Sequence, residues 1–233
     1  MKTNIAVFFG CRSVEHEVSI ISAVQAMRAI NREKYDVTPV YVTKNGEMYT
    51  GGCLFEIENY RNLPELLKNA EPVTFIRKGD GVFMKYLNTG VFSKKKDIGI
   101  DVCFPVVHGT NCEDGTMAGY FEYLGIPYIS CDILSAAVGM DKAVFKSVLK
   151  SAGLPVLDCI TFRSRDYLND KAAVSAEIAE KIGYPLIIKP VNLGSSVGIS
   201  KVNGADELDA AITLAASFAD RLLAEHAVTN LRE

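Results

Sequence analysis

Short apolar runs and amphipathic stretches alternate along the first half of the chain. Residues Asn4 to Gly10 form a compact apolar run that predicts a strand, and a polar loop follows it. Helical periodicity then extends over residues 17–30, where the repeat is formed by Val18, Ile21, Ser22, Gln25 and Ala26. A strand, a loop and a helix in this order are typical of the beginning of a doubly wound sheet.

Turn signals divide the next part of the chain into short extended segments. The dipeptide Asn45-Gly46 and the tripeptide Gly79-Asp80-Gly81 are both favoured in tight turns between antiparallel strands. Around them the pattern predicts a strand over 37–43, a return through Met48 and Tyr49, a helix over 64–69, and extended segments over 73–77 and 82–86. We therefore expect the last two segments to form a β-hairpin.

A near-continuous apolar run from Ile100 to Val107 predicts a strand that is covered on both faces. A predicted helix over 114–124 and a predicted strand over 126–130 follow it. Because strands and helices alternate in this region, we expect a mostly parallel sheet and an α/β fold for the first part of the chain.

A helix-rich region begins after residue 131. Residues 143–152 show helical periodicity, and Gly153 and Pro155 supply stop signals behind them. The apolar positions of this helix are Val144, Phe145, Val148, Leu149 and Ala152, and the opposite positions are Lys142, Lys146 and Lys150. The pattern then predicts a helix ending at Gly183, strands over 185–191, 199–202 and 222–226, a glycine-rich loop over 192–198 and a helix over 206–219. We therefore expect a second, α+β domain, with the domain boundary between residues 131 and 140.

Composition and charge narrow the possible functions. With 233 residues, of which 48% are hydrophobic and 23% charged, the chain is long enough for two domains with buried cores. A net charge of −3 and a pI near 5.7 provide no broad basic surface, so we expect neither nucleic acid nor a membrane as partner. The first apolar run is too short for a signal peptide, and no run of about 18 apolar residues occurs. These features predict a cytoplasmic protein.

The six cysteines of the chain are scattered along it. None forms a C-x-x-C pair or has a neighbouring histidine at the spacing of metal ligands, so we expect no zinc site. Without a secretory signal, reduced thiols that are mostly buried are expected instead of disulfides.

The segment from Lys189 to Gly198, KPVNLGSSVG, carries the strongest local signal for chemistry. Its glycines allow backbone N–H groups to approach phosphate oxygens, its serines add hydroxyl donors, and its lysine adds a positive charge. The segment differs from a P-loop because the lysine precedes the glycines. A surface hairpin with a flexible tip is the alternative. A lysine within the apolar strand LIIKPV favours the phosphate interpretation, since a buried ammonium is costly without an anionic partner.

Two further loops follow the carboxyl ends of predicted strands, where open α/β sheets bind ligands. They are Gly10 to Ser19, GCRSVEHEVS, and His108 to Gly119, HGTNCEDGTMAG. Glu15 is suited to hold a cationic amine, and His108 is suited to donate a hydrogen bond to a carboxylate or an oxyanion. Plainer interpretations stay open, namely a charged first helical turn for Glu15 and Glu17 and a histidine satisfied within a turn for His108.

Together these segments resemble one family. The strings VFFGCRSVEHEVSIISA, FPVVHGTNCEDGTMAGYFEYLGIPY and KPVNLGSSVG, with Asp141-Lys142 at the start of a helix, follow the order and spacing found in D-alanine:D-alanine ligases. That family includes the ligases of vancomycin resistance and belongs to the ATP-grasp superfamily. The resemblance extends over essentially all 233 residues. It implies an N-terminal doubly wound preATP-grasp domain over 1–131, a central α+β ATP-grasp subdomain over 132–225, and the start of a C-terminal ATP-grasp subdomain over 226–233.

The resemblance implies an ATP-dependent ligase that serves peptidoglycan precursor synthesis. In this family ATP phosphorylates the carboxylate of a first D-alanine, and a second substrate then attacks the acyl phosphate. D-alanine, D-serine and D-lactate are all open as the second substrate. The resemblance also implies Mg²⁺ as a cofactor, with its ligands beyond residue 233, so the 233-residue chain alone is expected to be inactive. A homodimer is implied as well.

Individual residues receive roles from the same resemblance. Glu15 matches the glutamate that holds the ammonium group of the first D-alanine, Ser195 matches the loop serine of that network, and His108 matches the histidine near the reacting carboxylate. The nucleotide contacts that it implies are Lys142, Lys189, Gly194 and Ser196 at the phosphates, Glu225 at the adenine amino group, Ala227 on the hinge backbone and Glu233 at the ribose.

Three positions depart from the family pattern. Cys11 and Cys112 stand where the family usually has glycine, and Ala118 stands where it usually has glutamine. Because cysteine tolerates a positive φ less well than glycine, both cysteine-containing loops are expected to bend differently. A redox-sensitive pair formed by Cys11 and Cys112 is a further open interpretation.

Two other functions stay open beside the D-amino-acid ligase. One is an ATP-grasp ligase that acts on a different carboxylate, and the other is a non-catalytic nucleotide-binding paralogue. Glu15 separates the first of these from the amino-acid ligase, because a substrate without an ammonium group has no use for a carboxylate at that position.

Overall fold

The computed structural model describes residues 2–88 and 95–229. The described residues divide into two compact units, with the boundary between Ala137 and Val138. Each unit has its own sheet and its own buried hydrophobic residues. Among these residues, no helix has the length and the hydropathy that a membrane crossing requires.

The first unit is built on one mixed sheet. Its elements are β1 (Thr3–Gly10), α1 (His16–Ala29), β2 (Tyr35–Val42), β3 (Met48–Thr50), α2 (Leu63–Asn69), β4 (Glu71–Lys78), β5 (Gly81–Tyr86), β6 (Ile98–Ile100), β7 (Val102–Pro105), α3 (Thr116–Leu124) and α4 (Ile133–Met140), which runs through the unit boundary. The described strands of this sheet have the order β6-β5-β4-β3-β2-β1-β7. β1 is parallel to β2 and β7, and the other neighbours are antiparallel.

The α/β fold with parallel strands is confirmed, but the expectation of a mostly parallel sheet is wrong. The predicted strand 100–107 is two strands, β6 and β7, separated by Asp101, whose N–H donates to the Asn4 carbonyl at 3.0 Å. Because β6 and β7 lie at opposite ends of the strand order, the sheet curls until its two edges meet at Asp101. The predicted strand 126–130 is reduced to one parallel bridge between Tyr128 and Cys103. The predicted hairpin is confirmed as β4 and β5.

Strand β1 is buried on both faces, as its apolar run predicts. On one face Phe8 packs in the core that the curled sheet encloses, with its ring centroid 5.0 Å from that of Phe75 and 4.9 Å from that of Phe121. On the other face Ile5, Val7 and Phe9 pack in a second core with residues of α1. The carboxyl end of β1, where the first candidate loop begins, is therefore firmly held.

Helix α1 forms where it was predicted, but a different face of it is buried. Val18 and Ile21, which belong to the predicted repeat, are 52% and 49% exposed. The buried positions are His16, Ser19, Ile20, Ala23, Val24 and Met27. Apolar periodicity missed this face because two of its positions are polar residues whose side chains form hydrogen bonds in the interior.

The second unit has an α+β arrangement with an antiparallel sheet. After α4 it comprises α5 (Lys142–Ser151), β8 (Cys159–Arg163), α6 (Ser164–Asn169), α7 (Lys171–Lys181), β9 (Leu186–Pro190), β10 (Ser200–Val202), α8 (Ala205–Ala216) and β11 (Arg221–His226). Its described strands have the order β10-β9-β11-β8, and all of these neighbours are antiparallel. Residues of α7 and α8 pack with alternate residues of β9 and β11 in the core of this unit.

Most elements of the second unit follow the predicted positions, but β8 and α6 were not predicted. Strand β8, CITFR, is five residues long at the edge of the sheet, and none of its residues is buried. Ile160 and Phe162 alternate with more polar residues and pack against the core, but two apolar positions in five residues are too few for the pattern to indicate a strand. Its partner β11 has four consecutive buried residues and was predicted.

Candidate active site

In the first unit, the loops that follow β1 and β7 are joined by hydrogen bonds. The Ser13 hydroxyl donates to the His108 carbonyl at 2.7 Å, and the side-chain amide of Asn111 donates to the Arg12 carbonyl at 2.6 Å. The Glu15 N–H donates to the Ser13 hydroxyl at 3.1 Å. The structure therefore brings together the two loops that the sequence singled out separately.

Glu15 and His108 both belong to this pair of loops. A Cβ placed on Gly109, which has a φ of 77°, would lie 2.6 Å from Glu15 Oε2 and 2.7 Å from the Ser13 hydroxyl oxygen. Glycine at position 109 thus allows the Glu15 carboxylate to lie directly against the backbone that follows His108. His108 Nε2 is 2.9 Å from the Ser22 hydroxyl, which holds the imidazole ring beside α1.

His16 and Ser19 hold the first loop in place, and sequence reasoning did not identify either of them. The His16 ring is 1% exposed, with Nδ1 2.6 Å from the Cys11 carbonyl and Nε2 3.0 Å from the Tyr41 hydroxyl. The Ser19 hydroxyl donates to the Val106 carbonyl at 2.7 Å and accepts from the Gly10 N–H at 2.8 Å. The histidine in the string EHEVS was the available signal, because a histidine within a buried motif needs polar partners.

Cys11 adopts a positive φ, the conformation that cysteine is expected to tolerate less well than glycine. Its φ is 67°, so the cysteine itself takes the left-handed conformation that glycine favours. Burial and the nearby Asp114 carboxylate raise the pKa of Cys11 to about 12. Burial and the neighbouring Cys11 raise the pKa of Cys112 to about 12 as well. High thiol pKa values oppose the idea of a redox-sensitive pair.

Thiol labelling of the native protein tests this conclusion. A pKa of about 12 lowers the thiolate fraction at pH 8 by roughly three orders of magnitude relative to an ordinary cysteine. Cys131 is exposed. We expect iodoacetamide to modify Cys131 first and to leave Cys11 and Cys112 unmodified until the protein is unfolded, as measured by peptide mass spectrometry. Early modification of Cys11 or Cys112 would contradict the burial of these thiols.

In the second unit, Lys189 and Glu225 lie on the face of the sheet opposite its core. Alternate residues of β9 and β11 pack into the core, and the residues between them point the other way. Lys189 is opposite Leu223, and Glu225 is opposite Ile187. The two charged residues are therefore diagonal neighbours on adjacent strands.

The carboxylate of Glu225 is bound by two lysines. Its Oε1 accepts a hydrogen bond from Lys189 Nζ, and its Oε2 lies 2.8 Å from Lys146 Nζ. Burial alone would raise the pKa of Glu225, but the hydrogen bonds from Lys146 and Lys189 outweigh it and hold the pKa below the ordinary value. The residue is therefore a buried, ionised acceptor, 7% exposed, at neutral pH.

The helical pattern places Lys146 on the polar side of α5, away from the apolar positions, and gives it no role in a site. In the structure its side chain is 17% exposed, whereas Phe145 and Val148 on the apolar side are 42% and 48% exposed. The lysine side of α5 thus faces the charged face of the sheet. The spacing of four residues from Lys142 was the signal that could have found it, because residues four apart share a helix face.

Lys142 begins α5, as the Asp141-Lys142 pair predicts. Asp141 caps the helix by accepting from the N–H groups of Ala143 and Val144 at 3.1 and 3.0 Å. Lys142 Nζ donates to the Leu193 carbonyl at the start of the glycine-rich loop over 192–198, called the glycine-serine loop from here on. Burial, and then repulsion by the Lys189 ammonium, lower the pKa of Lys142. An anion placed beside these two ammonium groups would be attracted by both of them.

The glycine-serine loop connects β9 to β10 through a series of turns. Ser195 and Ser196 are exposed and have φ values of 49° and 59°. Gly198 has a φ of 70°, and a Cβ there would lie 3.0 Å from both Pro190 and Phe218. Gly194 accepts from the Val197 N–H at 3.1 Å. The loop therefore presents two hydroxyls close behind the strand that carries Lys189.

Of the last two predicted nucleotide contacts, the structure describes Ala227 but not Glu233. Ala227 is 3% exposed and its N–H donates to the Pro185 carbonyl at 3.0 Å, so a contribution of its backbone to a base would come from its carbonyl oxygen. Glu233 lies outside the described residues. Within 2–88 and 95–229, no group of three or more His, Cys, Asp or Glu side chains is arranged to hold a metal ion.

Comparison with known proteins assigns both parts of the chain to one family. Residues 4–131 match the family model described as D-ala D-ala ligase N-terminus. Residues 148–233 match the model described as D-ala D-ala ligase C-terminus. The chain belongs to the D-alanine–D-alanine ligase family. Lys142 and Lys146 lie between the two matched ranges.

Individual members of the family are similar over nearly the whole chain. A D-alanine–D-alanine ligase of Thermosipho melanesiensis is 40% identical over 231 residues, which cover 99% of this chain and 60% of that protein. The crystal structure of the VanG D-Ala:D-Ser ligase from Enterococcus faecalis aligns with a TM-score of 0.79 and 38% identity, covering 98% of this chain and 64% of that one. The D-alanine–D-alanine ligase of Coxiella burnetii aligns with a TM-score of 0.79 and 31% identity, covering 97% and 62%. The chain thus spans about three fifths of the length of these relatives.

Proposed function

We propose that the full-length protein is an ATP-dependent ligase that joins D-alanine to a second D-amino acid, D-alanine or D-serine, for peptidoglycan precursor synthesis. The observation that carries the proposal is the position of Lys189. It is a mostly buried lysine on the open face of a sheet, and it leads directly into a glycine-serine loop. Membership of the D-alanine–D-alanine ligase family supports the reaction.

The second unit fits a nucleoside triphosphate through its charges. Lys142 and Lys189 would offset the negative charge of the phosphates, and Ser196 with the backbone at Gly194 would donate hydrogen bonds to their oxygens. The Glu225 carboxylate, as a pure acceptor, would accept from the exocyclic amino group of adenine. ATP would supply the phosphoryl group that activates a carboxylate toward an amine.

The first unit fits an amino acid with a free carboxylate and a free ammonium group. Glu15 would hold the ammonium of the first D-alanine, and His108 would donate a hydrogen bond to its carboxylate. The family resemblance alone suggests a role for Ser195 in binding the same substrate. A carboxylate oxygen of D-alanine then attacks the γ-phosphorus and ADP leaves. The second amine attacks the resulting carbonyl carbon, phosphate leaves, and the amine nitrogen loses a proton.

The described residues do not fit a magnesium site. Because no cluster of three or more His, Cys, Asp or Glu side chains occurs among them, the charge neutralisation that this part of the chain supplies comes from its lysines. We propose Mg²⁺ as a cofactor on family membership alone, and a cytoplasmic homodimer on the same basis.

Phosphate release by the full-length gene product tests the proposed function. We expect ATP turnover that depends on D-alanine and increases when the preferred second substrate is added, with D-alanine, D-serine and D-lactate compared side by side. ATP binding without turnover under any of these conditions would favour a non-catalytic nucleotide-binding paralogue.

A Glu15→Gln variant distinguishes the amino-acid ligase from a ligase for another carboxylate. Loss of the carboxylate removes a charge-assisted hydrogen bond worth about 1.5–3 kcal/mol, so KM for D-alanine should rise about 10- to 100-fold while nucleotide binding is retained. The matched control is Glu17→Gln, two residues further along, where the side chain is exposed and bound to Lys44. Equal effects of the two variants would contradict a substrate contact at Glu15.

A further inference from the structure

Two lysines contact the carboxylate of Glu225, but the proposed function assigns one of them to the phosphates of the nucleotide. Lys189 donates to Oε1, and Lys146 lies 2.8 Å from Oε2. In the proposed function Lys189 has to bind phosphate oxygens, and a lysine that turns toward a phosphate no longer neutralises Glu225. Lys146 would then be the cation that stays with the carboxylate.

Lys146 is fixed by contacts that do not depend on a nucleotide. Its Nζ donates to the Leu157 carbonyl at 2.9 Å, and it lies one turn beyond Lys142 on the capped helix α5. Its side chain is 17% exposed, and that of Glu225 is 10% exposed. A hydrogen-bonded ammonium at this depth is held in one position and resists screening by solvent.

The remaining titratable groups near Glu225 cannot replace Lys146. Lys142 is close enough to act on the carboxylate electrostatically, but its Nζ donates to the Leu193 carbonyl, and it too is assigned to the phosphates. Cys159 is opposite Glu225 on β8, and burial raises the pKa of its thiol, so it stays neutral. Burial of Glu225 alone would raise its pKa, which the lysines prevent.

We propose that Lys146 is a positioning residue for base recognition, which keeps Glu225 ionised and oriented when Lys189 moves to the phosphates. This inference rests on the proposed function. A carboxylate that kept its charge would accept from the 6-amino group of adenine. Without Lys146, Glu225 would take up a proton from solvent when the nucleotide binds, and the resulting acid O–H would donate instead to a 6-oxo group.

The test is calorimetric titration of the full-length protein with ADP and with IDP, whose base carries a 6-oxo group, in buffers of different ionisation enthalpy. For wild type we expect preferential binding of ADP and no proton uptake. For Lys146→Met we expect ADP affinity to fall about 10- to 100-fold, the preference for ADP over IDP to shrink, and about one proton to be taken up per nucleotide at slightly acidic pH. Lys146→Arg should restore the wild-type behaviour.

The matched control is Lys150→Met, one turn further along α5, where the lysine is exposed and bound to Asp158. It should leave both affinities unchanged. If Lys146→Met does not fold, as judged by circular dichroism, Lys146→Gln removes the charge and keeps a hydrogen-bond donor. Equal losses of ADP and IDP affinity without proton uptake would overturn the positioning role and leave the proposed function intact. Absence of ADP binding by the wild type would overturn both.

Discussion

Replacement of Gly10 by alanine is expected to lower the free energy of unfolding by about 2–4 kcal/mol. Gly10 has a φ of 93°, and a Cβ there would lie 2.3 Å from the Val42 carbonyl oxygen. That oxygen belongs to the parallel ladder between β1 and β2 and accepts from the Cys11 N–H at 2.7 Å, so it cannot move away freely. The same Cβ would also lie 3.0 Å from the Tyr41 ring and 3.1 Å from the His16 ring, so neighbouring groups crowd it as well.

Gly46→Ala separates the steric effect from the backbone effect. Gly46 has a φ of 87°, close to that of Gly10, but among the described residues a Cβ there would meet no atom within 4 Å. The control should therefore lose only the conformational preference, about 1 kcal/mol. Urea denaturation followed by circular dichroism measures both variants. Equal destabilisation of the two would contradict the close approach of Val42 to Gly10.

Because Gly10 leads into the loop of Glu15 and His108, we expect its replacement also to weaken the proposed D-alanine site. The loop is held by the contacts of His16 and Ser19 described above, and both contacts depend on the position of the Gly10 and Cys11 backbone. Stability and substrate binding are therefore coupled at this residue. The coupling is visible only in the structure, since the sequence shows a glycine that any tight turn would explain.

Sequence patterns located the elements whose burial follows a simple period. The apolar run of β1 and the strand that carries Lys189 were both predicted close to their observed bounds. Patterns failed where polar side chains were buried with hydrogen-bond partners, as on α1, because such residues look like solvent-facing positions. They also failed at Asp101, because one apolar run divides there into β6, which pairs with β5, and β7, which pairs with β1.

The candidate site was predictable to a similar extent. The glycine-serine loop and the Asp141-Lys142 pair carry local signals that depend on neighbouring residues alone. The Lys146 contact does not, because it joins α5 to β11 across 79 positions of the sequence (146 to 225). A lysine that binds a distant carboxylate has the same sequence appearance as a lysine in water, so three-dimensional contacts are needed to distinguish them.

Replacement of Lys189 by methionine is expected to reduce nucleotide affinity about 10- to 100-fold and turnover by about 10²–10³. Methionine reproduces the lysine side chain as far as the ε position but removes the ammonium group that the proposed function places at the phosphates. The matched control is Lys181→Met, because Lys181 is exposed on α7 and bound to Glu177. ADP titration and phosphate release of the full-length variants should show these losses for Lys189→Met and none for Lys181→Met.

The same variant is expected to change stability little at neutral pH, by about 1 kcal/mol or less, because Glu225 keeps Lys146 as its partner. Its effect should appear on the acid side. The wild-type pKa of Glu225 is lowered, so its contribution to stability is present above the unfolded-state pKa and is lost as the pH falls through the folded-state value. With one of its two lysines removed, the folded-state pKa rises and the contribution is lost at a higher pH. An acid-unfolding midpoint unchanged by Lys189→Met would show that Lys189 does not neutralise Glu225 in solution. It would then contradict the proposal that Lys189 moves from Glu225 to the phosphates and leaves Lys146 with the carboxylate.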